Sequence, residues 1–335
     1  MQLKVIETIP DDVLKCEAKD LHRILGGPTI MHIKGTNPKA VFISCLLHGN
    51  EVTGFYAIQR LLQSVVNSKP NRDIILFFGN TLAARTGERH LFNQPDYNRI
   101  WEEGDLPENK LAMDVLSYAK EQSLFACLDI HNNSGKNPYY GCVNFTDKNW
   151  IQLAGLFSKR IVYFTEPSEV LSNAFSTLCP AVTIEAGLPG KEEGIITVLN
   201  YLKTIINLDS FDEKFDAFSV DVFHTIGRIM VEPTCSVDFE DKKESTSDLS
   251  FSPTIDEKNF EIVPKFTHFG YAKNLDSVKA INNKDEIITE DIFFLKEGSL
   301  QSNRIFIPAM FTKDIFIMKE DCMGYIMEKM IPLKN

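Results

Sequence analysis

The chain reads as an α/β domain followed by a smaller, mostly-β domain. Three observations carry that reading. Apolar strand-like runs alternate with helix-patterned segments over the first ~205 residues, as an α/β domain requires. Three of those runs end in His or Glu, at 41–51, 124–131 and 181–187. From about residue 217 the texture shifts to short alternating runs separated by Asp, Asn, Gly and Lys clusters.

Taken in order, strands are expected at 29–34, 40–47, 73–79, 124–131, 160–164 and 181–185. Helices are expected at 51–66, 109–121 and 191–207. The first carries Val52, Phe55, Tyr56, Ile58, Leu61, Leu62 and Val65 near a 3.6-residue period. Residues 80–108 are rich in Arg, Asn, Gly and Pro and read as a long irregular loop, a feature that is often functional. In the second half, β runs are expected at Asp221–Val231, Phe260–Phe266, Asp285–Leu295, Arg304–Phe311, Asp314–Met318 and Gly324–Ile331. The polar stretch 238–259 reads as an exposed or flexible loop. The expected division is a catalytic α/β domain over 1–210 and a mostly-β domain over 217–335 that caps the active site. No internal repeat is evident.

Composition narrows the function. The 335 residues are 44% hydrophobic, enough for a substantial core. Lys and Arg number 35 against 46 Asp and Glu, a net charge of −11, so nucleic acid and anionic membrane are not expected partners. Seven cysteines with no CxxC pair suit a reduced chain. No basic stretch followed by an apolar run opens the sequence, and no apolar run reaches the ~20 residues of a membrane helix. A cytoplasmic protein is therefore expected. Composition says nothing of its oligomeric state.

The chemistry gathers at strand ends. In Val41–Glu51 an apolar strand ends in a Gly49 turn that opens a helix, with His48 and Glu51 three residues apart. Leu124–His131 ends a second strand in His131, and Ala181–Gly187 ends a third in Glu185. In open α/β sheets ligands bind at the carboxyl ends of strands. Two His and one Glu form a known ligand set for catalytic zinc, with the fourth position left to water. His48, Glu51 and His131 are therefore candidate ligands for one Zn2+ per chain. Glu185 is the candidate general base, because a charged residue ending an apolar strand needs a reason to be there. Asp129 shares a strand face with His131 and could accept the far N–H of a ligand His. In the loop, Arg89 is the candidate for stabilising an oxyanion, and Asn98 with Arg99 for gripping a substrate carboxylate.

Each motif alone also has a plain structural reading. His48–Glu51 could be a strand–turn–helix junction capped by Asn50 or Glu51. His131 alone reads as structural, Glu185 could pair with a buried cation, Asn98-Arg99 could be a solvated turn, and Asp129 could cap a helix. The conjunction of four such groups at strand ends favours a site. The remaining histidines, His22, His32, His90, His224 and His268, read as surface or core residues.

The ordered motifs H-G-N-E (48–51), D-Y-N-R (96–99), D-I-H-N (129–132) and I-E-A-G (184–187) resemble the succinylglutamate desuccinylase/aspartoacylase family. The resemblance implies a zinc-carboxypeptidase-like mixed sheet flanked by helices, with a smaller C-terminal β domain. It implies His48, Glu51 and His131 as zinc ligands and Glu185 as base and proton shuttle. It also implies Arg89 polarising the scissile carbonyl, and Asn98 and Arg99 holding the substrate carboxylate. The activity implied is hydrolysis of an amide bond in an N-acyl amino acid. The alternatives are a metallocarboxypeptidase acting on peptides and a non-catalytic metal- or ligand-binding protein. The Arg89–Asn98 spacing is a residue or two longer than the family pattern. Members of that family specialised for acidic substrates tend to carry an Arg shortly before the catalytic Glu; residues 161–184 here contain no Arg or Lys, so the resemblance implies a substrate with one carboxylate or a neutral tail.

Overall fold

The computed structural model describes residues 2–330, which divide into two units: residues 2–132 with 139–220, and residues 133–138 with 221–330. Ile331, the last residue of the expected final β run, lies outside the described residues.

The first unit is a helix-flanked mixed sheet. Its strands are β1 (Lys4–Ile6), β2 (Thr29–Ile33), β3 (Ala40–Cys45) and β4 (Ile74–Phe78), then β5 (Leu124–His131), β6 (Tyr140–Val143), β7 (Arg160–Tyr163) and β8 (Ala181–Glu185). They lie in the order β1-β2-β4-β3-β5-β8-β6-β7. The central run β4-β3-β5-β8 is parallel, while β2 joins β4 and β6 joins β8 antiparallel. Every residue of β3, β4 and β8 is buried, which explains why they read as unbroken apolar runs rather than alternating ones. The two strands of this unit absent from the sequence reading, β1 and β6, span only 3 and 4 residues. That is too short for periodicity to register.

Helices cover both faces. Thr53–Val65 buries Phe55, Ile58, Leu61 and Leu62, and packs against Glu192–Asn207, where Arg60 makes a two-pronged pair with Glu192 at 2.7 Å. On the other face, Leu111, Val115 and Ala119 of helix Pro107–Lys120 join Trp101, Leu171 and Phe175 over Phe42, Phe77, Cys127 and Ala181. Phe42 and Phe175 sit 4.3 Å apart between ring centres, so this layer is tightly packed. Pro107 occupies the first turn of its helix, where a missing N–H costs nothing. The loop expected over 80–108 is partly helical. Thr81–Thr86 is a short helix, started by Asn80 Oδ1 accepting from Ala83 N at 3.0 Å and ended by Gly87 at φ +72°.

The chain leaves β3 on one side to reach β4, and the strand on its other side is β5. That reversal opens a crevice at the carboxyl ends of β3 and β5.

The second unit holds two antiparallel-rich sheets. The first comprises β9 (Asp221–Val231), β13 (Val278–Asn282), β16 (Ile307–Ala309) and β17 (Gly324–Met330), with β9 paired to β13 and β17, and β17 to β16. The second runs β10 (Val237–Asp238), β11 (Leu249–Phe251), β12 (His268–Ala272), β15 (Ser299–Ser302) and β14 (Phe293–Lys296). Its core is aromatic: Phe251, Phe269, Phe293, Phe306 and Phe311 pack with Ile229, Val231 and Ile326. Residues 133–138 belong here because Asn259 donates to Lys136 O at 3.0 Å and Asn137 accepts from Met310 N at 3.0 Å.

Three expectations are corrected here. The stretch 238–259 is not an exposed excursion, because Leu249, Phe251 and Ile255 are buried and Asp238 is held by Ser245 and Ser250. Residues 314–318 open a helix, Ile315–Glu320, capped by Asp314 Oδ1 at 3.0 and 3.2 Å. Residues 260–266 contribute only an isolated bridge, Val263 to Phe306.

Candidate metal centre

His48 lies three residues beyond β3, past Leu46 at φ +57°. Gly49 is dictated by space: a Cβ there would sit 2.2 Å from Ala84 N and 2.3 Å from the Ala83 carbonyl carbon. Its N–H donates to Arg89 O at 3.0 Å, and Glu51 N donates to His48 O at 3.1 Å. This tight turn aims His48 and Glu51 at one point. His131 arrives from β5, next door across the crevice.

The three side chains converge. Their ligand atoms all lie within 4.8 Å of one another, and each residue is buried. His48 Nδ1 is 2.8 Å from Glu51 Oε1, His131 Nδ1 is 2.9 Å from Glu51 Oε2, and the two Nδ1 atoms are 3.2 Å apart. A tetrahedral ion with bonds of ~2.0–2.1 Å has donors about 3.3 Å apart, so the trio is near, and slightly inside, the spacing such an ion needs. The far nitrogens are equally telling. His48 Nε2 meets Asp96 Oδ1 at 2.8 Å and His131 Nε2 meets Asp129 Oδ2 at 2.8 Å. A carboxylate can only accept, so each Nε2 donates outward, and a cation that displaces the Nδ1 protons facing Glu51 would meet an Nδ1 lone pair from each ring. Two lone pairs and a carboxylate facing one point fit a divalent cation.

Electrostatics agree with that fit. Burial and Arg89 oppose protonation of His48, but Asp96 and Glu51 outweigh them and raise it. Burial likewise opposes protonation of His131, but Asp129 and Glu51 raise it well above the ordinary imidazole value. Burial would raise Glu51 and Asp96, yet the imidazoles, with Arg89 beside Asp96, hold both carboxyls low. The surroundings favour positive charge at the centre.

Glu185 ends β8 in register with His131, so both project from one face of the sheet. Burial pushes its carboxyl up to about 8, and its Oε2 is buried with no hydrogen-bond partner. Buried Tyr140 is its register neighbour on β6.

The catalytic domain model of the succinylglutamate desuccinylase/aspartoacylase family matches residues 37–191. Residues 37–191 thus form a catalytic domain of this family's type. The matched segment contains all the candidate site residues. A succinylglutamate desuccinylase of Pseudomonas putida (strain GB-1) is 38% identical over 63 residues, 18% of this chain and 18% of that relative. The aligned stretch thus spans under a fifth of that relative's length. Among solved structures, a succinylglutamate desuccinylase/aspartoacylase from Rhodobacter sphaeroides has TM-score 0.63 at 13% identity, covering 90% of this chain and 89% of its own. Murine aminoacylase 3 has TM-score 0.56 at 14% identity, covering 88% and 96%. At those identities the likeness is one of fold. The family's fold is the helix-flanked mixed sheet with a C-terminal β unit described above.

Within this family domain, the remaining candidates divide. Arg89 donates to Asp96 Oδ2 from Nε at 3.2 Å and Nη2 at 2.9 Å, and its Nη1 lies 3.5 Å from Glu51 Oε1. It therefore stands at the edge of the metal trio. Asn98 is buried, but its side-chain oxygen accepts from Leu171 N at 3.2 Å and so braces helix Leu171–Phe175. Only its amide nitrogen can address a ligand. Arg99 folds back, with Nη1 donating to Asn98 O at 2.9 Å.

Two residues without a role in the sequence reading prove central. Asp96 accepts from His48, Arg89 and Asn98 N, the last at 2.7 Å, and so ties the loop to the trio. Asn132 donates its N–H to Glu51 Oε2 at 3.0 Å, accepts from Thr53 N at 3.3 Å, and donates to Gly187 O at 2.9 Å. The D-Y-N-R and D-I-H-N motifs contained both residues. What was missing was the loop's return path.

Proposed function

We propose that the chain is a zinc-dependent hydrolase that cleaves the amide bond of a small N-acyl amino acid. The observation that carries this reading is the inward convergence of His48 Nδ1, His131 Nδ1 and the Glu51 carboxylate, with buried Glu185 alongside. When bound, the ion supplies Lewis acidity, which activates water near neutral pH and polarises a carbonyl. Glu185 takes the proton of the attacking water and returns it to the departing nitrogen. Its burial supports this role, because a carboxylate raised toward neutrality both accepts and releases a proton readily. Asp96 and Asp129 keep the protons of His48 and His131 on Nε2, leaving Nδ1 for the ion. Arg89 steadies the negative charge that develops on the carbonyl oxygen, an assignment its place beside Glu51 supports. Asn98, through its amide nitrogen, and Arg99 hold the substrate carboxylate. Residues 161–184 offer no second cation, so a second carboxylate would be desolvated without a partner.

The test is hydrolysis of N-acyl amino acids by the zinc-loaded protein and by Glu185→Gln. Turnover by the former and none by the latter, with zinc retained in both, supports the reading. Faster turnover of N-acetylaspartate than of neutral N-acyl amino acids refutes the substrate preference.

A further inference from the structure

Behind the trio, three polar side chains cross the buried centre of the sheet in one row. Ser44 on β3 is in register with Asp129 on β5, and Asp129 with Thr183 on β8. Register partners on parallel strands share a face and stand about 4.8 Å apart. Phe42, Cys127 and Ala181, each two residues earlier on its strand, pack in one apolar cluster, so the row faces the same side. The row lies one pleat below His131 and Glu185.

Two atoms of this row are buried without a hydrogen-bond partner, Ser44 Oγ and Asp129 Oδ1. Both residues are 0% exposed. An unpartnered hydroxyl beside an unpartnered carboxylate oxygen, in an otherwise apolar layer, is costly on both counts. The other carboxylate oxygen, Oδ2, is taken by His131. The nearest register neighbours able to satisfy Oδ1 are Ser44 and Thr183, and neither bonds it directly.

We infer that Ser44, Asp129 and Thr183 form a buried water-binding site, and that Ser44 is a positioning residue for the metal centre through that water. One water there has two to three polar partners, the number a structural water requires. It donates one hydrogen to Asp129 Oδ1 and the other to Thr183 Oγ1, and it accepts from the Ser44 hydroxyl. The line then runs Ser44, water, Asp129, His131, metal. With Oδ1 satisfied, Asp129 keeps its orientation, holds the His131 proton on Nε2 and leaves Nδ1 for the ion. The inference rests on the metal-centre reading and adds to it a residue that touches neither ligand nor substrate.

The experiment measures zinc dissociation constants by chelator competition for the wild type, Ser44→Ala and Ser44→Thr, beside melting curves of the metal-free proteins. It also includes a high-resolution crystal structure of the wild type. Groups touching a ligand His are worth about 10- to 100-fold in affinity; one step further back, Ser44→Ala should weaken zinc about 3- to 10-fold. Ser44→Thr, which keeps the hydroxyl, should stay within about twofold. Metal-free melting should fall modestly in Ser44→Ala, which loses a hydrogen bond to the buried water, and in Ser44→Thr, whose added methyl enters a fully buried layer, so melting does not rank the two variants as zinc affinity does. An ordered water within hydrogen-bond reach of Ser44 Oγ and Asp129 Oδ1 is expected in the crystal. Unchanged zinc affinity in Ser44→Ala, or a dry gap between the two side chains, overturns the inference and leaves the metal centre standing. A wild type that binds no zinc removes the metal-centre reading itself.

Discussion

Asp96→Asn replaces one atom at the most heavily shared carboxylate of the site. Asp96 Oδ1 accepts from His48 Nε2 at 2.8 Å and Asn98 N at 2.7 Å, while Oδ2 accepts from Arg89 at 2.9 and 3.2 Å. Every partner is a donor, so an amide NH2 must face one of them whichever way it turns. Turned toward His48, it drives that proton onto Nδ1, the nitrogen the ion needs. Turned toward Arg89, it releases a guanidinium whose next anion is Glu51, 3.5 Å away, and that guanidinium then competes with the ion. Either outcome weakens the metal by the 10- to 100-fold typical of losing a ligand's outer partner, about 1.4–2.7 kcal/mol. The assay is competition for zinc with a chromophoric chelator, with circular dichroism to confirm folding. A folded Asp96→Asn that holds zinc within twofold of the wild type would refute the reasoning.

Glu185→Gln should lower turnover by at least about 100-fold while zinc content stays unchanged, as expected for loss of a general base; steady-state kinetics with elemental analysis checks both. The same substitution tests the pH linkage. Burial raises the folded Glu185 carboxyl to about 8, above its unfolded value, so the folded form binds more protons and loses stability as pH rises between those values. Metal-free Glu185→Gln should therefore melt higher than metal-free wild type at pH 8, with the gap closing toward pH 4; a gap that widens in acid contradicts the sign. Gly49→Ala forces a Cβ onto the backbone of Ala83 and Ala84, and should lower stability by about 3 kcal/mol or more and abolish zinc binding, as read by thermal melting.

Much of this site was legible because its chemistry sits where strand patterns end. His48, His131 and Glu185 each interrupt a run of buried apolar residues, and a polar side chain there demands a partner. The helix-forming periodicity of 53–65 and 192–207 was equally plain. Asp96 was opaque for a different reason. Its partners are 48 and 7 residues away, and nothing local says that the loop folds back onto His48. Asn98 has a second job that the sequence does not announce: its side-chain oxygen accepts from Leu171 N, a bond between segments 73 residues apart. The stretch 238–259 misled through composition. Its Ser and Asp side chains satisfy one another, as in Asp238 with Ser245 and Ser250, so a polar sequence folds in place and buries Leu249 and Phe251. Asp314 looked like the start of a strand because its cap role depends on two N–H groups that follow it.

The central claim is that His48, Glu51 and His131 hold a metal ion. The most direct measurement is metal content by elemental mass spectrometry of protein purified without chelator, before and after zinc addition, beside a His48→Ala, His131→Ala double variant. About one zinc per wild-type chain, absent from a folded double variant, is the predicted result. No bound metal in the wild type even after zinc addition, or equal zinc in both proteins, would contradict it.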